Sequence, residues 1–249
     1  MEKIRPDIMG MPIRIVIARN EVDESIFNEA FSLLHQIDER FSTYKDTSEI
    51  SRINRGGILE SDWSKDMKEV FDLGEKTKKE TNGFFDIRTP KGTIDPSGVV
   101  KGWAIQKAFD LLLAKGEANI LVDIAGDVAT HGVNEKGKEW ALGIKNPFNT
   151  DEVVKIVYPK GRGVATSGQY ERGAHIYNPI SGEEAASTLE SVTVVAPTIL
   201  EADLLATALF AMGEQGLTYA QKRDGVAVYA IRKDRTSVMT PGFLEFTTL

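Results

Sequence analysis

The chain contains no cysteine. Disulfides, thiolate metal sites, iron–sulfur clusters and a cysteine nucleophile are therefore excluded. Histidine is scarce as well: His35, His131 and His175 stand far apart in the sequence, which argues against a histidine-cluster metal site. The chain lacks G-x-G-x-x-G after a strand, G-x-x-x-x-G-K-[ST] and H-E-x-x-H, so the usual dinucleotide, P-loop and zincin readings are weak. It has no run of 18 apolar residues of the kind that spans a bilayer. Positive charge is in the minority. The formal net charge of −7 gives no field favouring nucleic acid or an anionic membrane. The N-terminal "MEKIRPDIMG" has no apolar core, so it does not read as a signal peptide. As the sequence stands the expected location is cytoplasmic, or the cell envelope or periplasm if a leader precedes it.

What is present is enough for a real core: 249 residues, 41% of them apolar. "MPIRIVIA" (11–18) alternates as a strand does. Apolar positions from Asp23 to Phe41 recur at helical spacing, and 62–80 repeats the pattern. "FSTYKDTSEISRIN" reads as a polar loop and "TNGFFDIRTPKGTIDPSG" as a long turn-rich stretch. "VVKGWAIQKAFDLLLAKG" predicts a helix stopping at Gly116. "NILVDIAGDVATHG" and "KEWALGIKN" read as a pair of adjacent strands. "DEVVKIVYP", "GVATSG", "HIYNP", "LESVTVVAP" and "GVAVYAIR" supply more strands or strand ends. Strands clustered among helices without regular βα alternation predict an α+β fold around a largely antiparallel or mixed sheet, in one domain over 1–249.

One helix poses a chemical question. "TILEADLLATALFAMG" (198–213) opens on a capping box, Thr198 with Glu201, and closes on Gly213. Between them it is apolar almost all round, so it should be buried. Asp203 is its one interior charge, and Thr207 lies four residues on along the same face. A buried carboxylate must be paired, protonated or bound to a metal. A core Asp held by a nearby Lys or by backbone remains the alternative to a ligand.

Several polar, glycine-rich segments carry the remaining chemistry. "IDPSGVVKG" places Asp95 and Lys101 about a Ser97–Gly98 turn that opens a helix, a reasonable phosphate site or an ordinary helix start. "IAGDVATHG" sets Asp127 directly after Gly126 at a strand end, a ligand position or an Asx turn. "VATSGQYER" offers the hydroxyls of Thr166 and Ser167, and "HIYNPISG" puts His175 on a turn.

Their order and wording resemble the FAD:protein FMN transferases, the ApbE family. The resemblance rests on "MGM" (9–11), "STYKDTSEISRIN", "GFFD" (83–86), "DPSGVVKG", "AGD", "WALGIKNP", "ATSG", "HIYNPISG" and residues 191–213, and it covers nearly the whole chain. Two positions depart from the family wording: Met11, where it has Thr, and Ala125, where it has Gly. The resemblance implies an ApbE-like fold and Mg²⁺-dependent transfer of FMN from FAD, a substrate, onto a Thr or Ser hydroxyl of an acceptor protein, with release of AMP. It implies metal ligands at Asp203, Thr207 and a backbone carbonyl near Gly98. Flavin contacts are implied at Met9, Tyr44, Phe84, Phe85, Asp86, Asp95, Lys101, Thr166, His175 and Ile176. His175 is the expected proton acceptor, on the ground that imidazole is poised near neutral pH, with Asp127 as the alternative. The implied acceptor carries a D-G-x-[ST]-[GS]-A-[ST]-type motif. FAD pyrophosphatase activity and non-catalytic flavin binding are the competing readings. The oligomeric state is left open, a homodimer included.

Overall fold

The computed structural model describes residues 1–168, 179–180 and 188–248. Its frame is an eight-stranded sheet of β1 (Glu2–Ile8), β2 (Met11–Ile17), β3 (Ile120–Ile124), β4 (Asp127–His131), β7 (Gly163–Gly168), β8 (Leu189–Ala196), β9 (Ala227–Arg232) and β10 (Ser237–Met239), hydrogen-bonded in that order. Each neighbouring pair is antiparallel. A separate two-stranded ribbon joins β5 (Leu142–Asn146) to β6 (Asn149–Val157). The helices are α1 (Glu24–Phe41), α2 (Glu49–Asn54), α3 (Lys65–Glu80), α4 (Ser97–Ala114), α5 (Ile199–Met212) and α6 (Glu214–Ala220). This is the α+β architecture that the sequence predicts.

Both faces of the sheet are covered. Ile13, Ile15, Ile120, Val122, Val192 and Val194 point into the main core with the helices. The alternate residues of the same strands enter smaller cores on the other side. Val16, Leu121 and Val128 pack with Trp140. Val164, Val195 and Tyr229 pack with Ile144 and Val157 of the ribbon and with Phe243 and Phe246 near the C-terminus. A strand buried on both faces loses the polar–apolar alternation that usually marks antiparallel sheet. That is why β3 reads as the near-continuous apolar run "ILVDI".

Two local readings differ from expectation, and one strand carries no sequence signal. "NILVDIAGDVATHG" is itself a hairpin, β3–β4, and "KEWALGIKN" contributes β5 to the ribbon instead of pairing with it. The polar loop "FSTYKDTSEISRIN" ends in α2, where the Ser48 side chain accepts the Ser51 N–H at 3.1 Å; six residues are too few to reveal a helical period. Strand β1 has no apolar pattern because it is an exposed edge, and its Pro6 lies where the register with β2 shifts. The segment "HIYNP" falls outside the described residues except for Pro179.

Two tight hairpin turns lie at one end of the sheet, Met9–Gly10 between β1 and β2 and Ala125–Gly126 between β3 and β4. The Ala125 N–H donates to the Pro12 carbonyl of β2 at 3.1 Å, which ties the second turn to the strand that leaves the first. Both turns require positive φ at both central residues: 58° and 67° in the first, 50° and 89° in the second. Ala125 is a β-carbon-bearing residue held in the left-handed region. Ala125→Gly should therefore raise stability by about 1 kcal/mol. Chemical denaturation checks this, and an unchanged or lower midpoint would show that the turn carries no strain.

Candidate functional site

The site forms where α4 and α5 cross at the end of the sheet. Gly98 and Gly102 are one turn apart on α4; Asp203 and Thr207 are one turn apart on α5. A β-carbon built on Gly98 would lie 3.9 Å from Thr207 Cγ2, and one built on Gly102 would lie 2.7 Å from Asp203 Cβ. The pairs match in opposite chain directions, so the helices run antiparallel with their backbones close together at two successive turns. Such an approach needs a residue without a side chain at Gly102, where the added carbon would also meet the Leu200 Cα at 3.2 Å.

Asp203 is 3% exposed. Its Oδ2 accepts the backbone N–H of Gly102 at 2.7 Å, and its Oδ1 lies 4.0 Å from Lys101 Nζ. Lys101 is held more closely by Asp127, at 2.5 Å from Oδ2. Asp127, at the first position of β4 and 1% exposed, also accepts the Thr166 N–H on Oδ1 at 2.9 Å. The hydroxyls of Thr166 and Thr193 are 2.9 Å apart, and those of Ser167 and Thr207 are 3.4 Å apart. Strand β7 thus feeds one hydroxyl toward α5 and one N–H toward the carboxylate on β4.

Electrostatics follow from this geometry. Burial raises the Asp203 carboxyl to about 7, against the pull of Lys101 and with the push of the neighbouring Asp127 carboxylate. Among the described residues Lys101 is the ammonium that both carboxylates share, so the cluster carries an excess of negative charge when both are ionised. A proton or a cation can balance it. Among the described residues no three His, Cys, Asp or Glu side chains converge as a ready-made metal cage. A carboxylate, a hydroxyl and backbone oxygen are nevertheless the hard donors suited to Mg²⁺, which fills its shell with water and substrate phosphate. The residues present fit that ion. The bland alternative, Asp203 held by a lysine and by backbone, is also partly realised, since both partners are there.

The other expected site residues fall into two groups. Phe85 is buried beneath the start of α4, its ring 3.2 Å from the β-carbon position of Gly98. Phe84 packs partly buried against the same core, and Met9 does so from the first hairpin turn. Asp95 is exposed and its Oδ1 accepts the Ser97 N–H at 3.1 Å, shaping the entry to α4. Asp86 pairs with Lys78 of α3 at 2.6 Å. Tyr44 stands 96% exposed in the loop before α2. His175 and Ile176 lie outside the described residues, although Ile180, just beyond them in sequence, comes within 3.7 Å of the β-carbon position of Gly83.

Two further contributors become apparent only in the fold. Asn54 ends α2 and clasps Ile94 on both sides, donating to its carbonyl at 2.9 Å and accepting its N–H at 2.8 Å. It fixes the approach of Asp95 to α4, and its only sequence signal is its place at the end of "SEISRIN". Gly102 was legible only as the last letter of "DPSGVVKG"; that it faces Asp203 requires the fold.

Comparison with known proteins decides the family. The ApbE family model matches residues 9–91 and 87–230. The chain belongs to the ApbE family. A curated relative, the FAD:protein FMN transferase of Salmonella typhimurium, is 34% identical over 175 residues, covering 66% of this chain and 50% of the relative. The chain thus spans about half the length of that relative in the alignment. The protein of the same name from Haemophilus influenzae is 25% identical over 91% of this chain and 84% of its own. Among solved structures, the flavin transferase ApbE of Vibrio cholerae superposes with a TM-score of 0.86 at 23% identity, covering 99% of both chains. The ApbE protein of Thermotoga maritima gives 0.88 at 22%, over 100% of both. At such identities the superpositions establish the ApbE fold.

The elevated Asp203 carboxyl makes a prediction for the metal-free protein. A folded value near 7 against 3.8 unfolded means that the folded state holds the proton more tightly. Ionising Asp203 then costs stability, from nothing below pH 4 to a full cost above pH 7. Asp203→Asn removes that cost, so its advantage over the unsubstituted protein should widen between pH 4 and 7, at about 1.4 kcal/mol per pKa unit. Thermal or urea unfolding in the presence of a chelator measures it. A stability difference that stays flat with pH would contradict this assignment.

Proposed function

We propose that residues 1–249 form a single transferase domain that moves FMN from FAD to a Thr or Ser hydroxyl of an acceptor protein, with release of AMP. The observation that carries this is the buried Asp203, over Thr207 and beside Lys101 and Asp127, in a chain whose family relatives bear the name FAD:protein FMN transferase. Mg²⁺ would be held by Asp203, Thr207 and a backbone carbonyl near Gly98. When bound, it stabilises negative charge on the pyrophosphate and on the departing AMP.

In the reaction the acceptor oxygen attacks the flavin-side phosphorus. A new P–O bond forms there, the bond to the bridging oxygen breaks, and its electron pair leaves with AMP. The hydroxyl proton goes to a base. The protein's task is chiefly to position and to balance charge. Lys101, in the second turn of α4 and pinned by Asp127, supplies fixed positive charge beside the phosphates. The α4 N-terminus adds the positive end of its dipole. Met9, Phe84, Phe85, Tyr44, Asp86 and Asp95 are the proposed flavin-side wall, with Thr166, His175 and Ile176. His175 is the proposed proton acceptor. Asp127 is the alternative, but in the structure both its oxygens are engaged, by Lys101 and by the Thr166 N–H. The proposed partner is a flavoprotein bearing a D-G-x-[ST]-[GS]-A-[ST]-type segment. No described helix is long and apolar enough to cross a membrane.

Mass spectrometry of a motif-bearing peptide incubated with the protein, FAD and Mg²⁺ tests this. The peptide should gain one FMN and lose water, with AMP formed in equal amount. FMN and AMP released with the peptide unmodified would establish hydrolysis instead, and intact FAD retained through the incubation would establish a flavin-binding protein. Asp203→Asn should fold and sharply lose both transfer and its dependence on Mg²⁺. His175→Ala should slow transfer by roughly 10² to 10⁴-fold. It should also abolish an activity limb rising through about pH 6.5, with little change in FAD affinity. Loss of affinity with the pH limb intact would make His175 a flavin-orienting residue.

A further inference from the structure

We propose that Gly102 is a positioning residue for the divalent-cation site, an inference that rests on the Mg²⁺ reading above: its missing side chain lets α4 close on Asp203, and its N–H, shared between the helix and that carboxylate, fixes the carboxylate in place. The first half follows from space. A β-carbon at Gly102 would sit 2.7 Å from Asp203 Cβ, 2.9 Å from its Oδ2 and 3.2 Å from the Leu200 Cα. The first two contacts fall below any distance that real β-carbons adopt, and backbone stands behind the third, so the helices must separate or Asp203 must turn. Either motion moves the carboxylate relative to Thr207, which lies one turn away over Gly98.

The second half follows from hydrogen-bond arithmetic. In an α-helix the N–H of residue 102 donates to the carbonyl of residue 98. Here that N–H lies 2.7 Å from Asp203 Oδ2, a short bond to a carboxylate. One N–H cannot make two full bonds. The N–H is then shared, as three-centre bonds near helix termini often are, and the Gly98 carbonyl, with two lone pairs, keeps acceptor capacity beside Thr207 that a cation can use. The same bond restrains Asp203 in one rotamer, so the site is arranged before the ion arrives. Positioning partners of this kind are typically worth 10- to 100-fold in metal affinity.

Isothermal titration of the full chain with Mg²⁺ alone, without flavin, tests the inference. Gly102→Ala should weaken Mg²⁺ binding at least tenfold. Gly74→Ala is the control for mere steric damage: its β-carbon would meet Ile87 Cδ1 at 2.9 Å on α3, so it should lower stability while leaving Mg²⁺ affinity unchanged. Equal affinity in Gly102→Ala and the unsubstituted protein would overturn the inference and leave the Mg²⁺ reading standing. So would an affinity loss in Gly74→Ala that tracks its loss of stability as closely as that of Gly102→Ala. An unsubstituted chain that binds no Mg²⁺ would overturn both readings. If Gly102→Ala does not fold, NMR of the unsubstituted protein decides. The Gly102 amide proton should resonate well downfield of ordinary helical amides, and the Gly98 carbonyl carbon should shift as Mg²⁺ saturates. An ordinary Gly102 amide with an unmoved Gly98 carbonyl would overturn the inference.

Discussion

Two buried carboxylates that share one ammonium are the constraint around which the site is built. Asp127 and Asp203 come from different elements, a strand and a helix, and Lys101 comes from a third. Gathering the three costs desolvation that only close geometry can offset. The geometry is supplied from several sides at once: the Thr166 N–H on Asp127, the Gly102 N–H on Asp203, and the Lys101–Asp127 ion pair. Among the described residues the arrangement is still short of positive charge. Such a cluster favours a proton when alone, and the proposed divalent ion with substrate phosphate would balance it in its place.

The rest of the fold serves to deliver these groups to one place. The antiparallel hairpins bring Met9 and Asp127 to the same end of the sheet. Strand β7 pairs with β8 along its length and sends Thr166 and Ser167 toward β4 and α5. Burial of both sheet faces, by the helices on one and by the ribbon with the C-terminal segment on the other, keeps the frame stiff. Close-packed interiors resist small displacements, which is what a site with tolerances of a few tenths of an ångström requires.

Much of this was legible in the sequence, for physical reasons. Asp203 stood out because a charge on an all-round apolar helix has few explanations, and Thr207 because a separation of four places it on the same face. Helices α1, α3, α4 and α5 were marked by caps and period. What could not be read is long-range or unpatterned. The edge strand β1 carries no apolar alternation, α2 is shorter than the window in which a period shows, and β5 looked like a partner of β3 because adjacency in sequence suggests adjacency in space. The Lys101–Asp127 pair joins residues on separate elements, and neither residue's local sequence names the other. Gly102 is a sharper case, because its importance lies in what it lacks, and only the position of Asp203 gives that absence a meaning.

Asp203 and Thr207 are proposed to form a divalent-cation site. Anomalous diffraction from a crystal soaked in Mn²⁺, a stand-in for Mg²⁺, tests it most directly. A single strong peak should appear at about 2.0–2.2 Å from an Asp203 carboxylate oxygen and the Thr207 hydroxyl, the range for a small hard cation with oxygen ligands. A site without a peak at saturating Mn²⁺, with Asp203 bonded only to Gly102 and Lys101, would contradict the account and return Asp203 to the role of a satisfied core carboxylate.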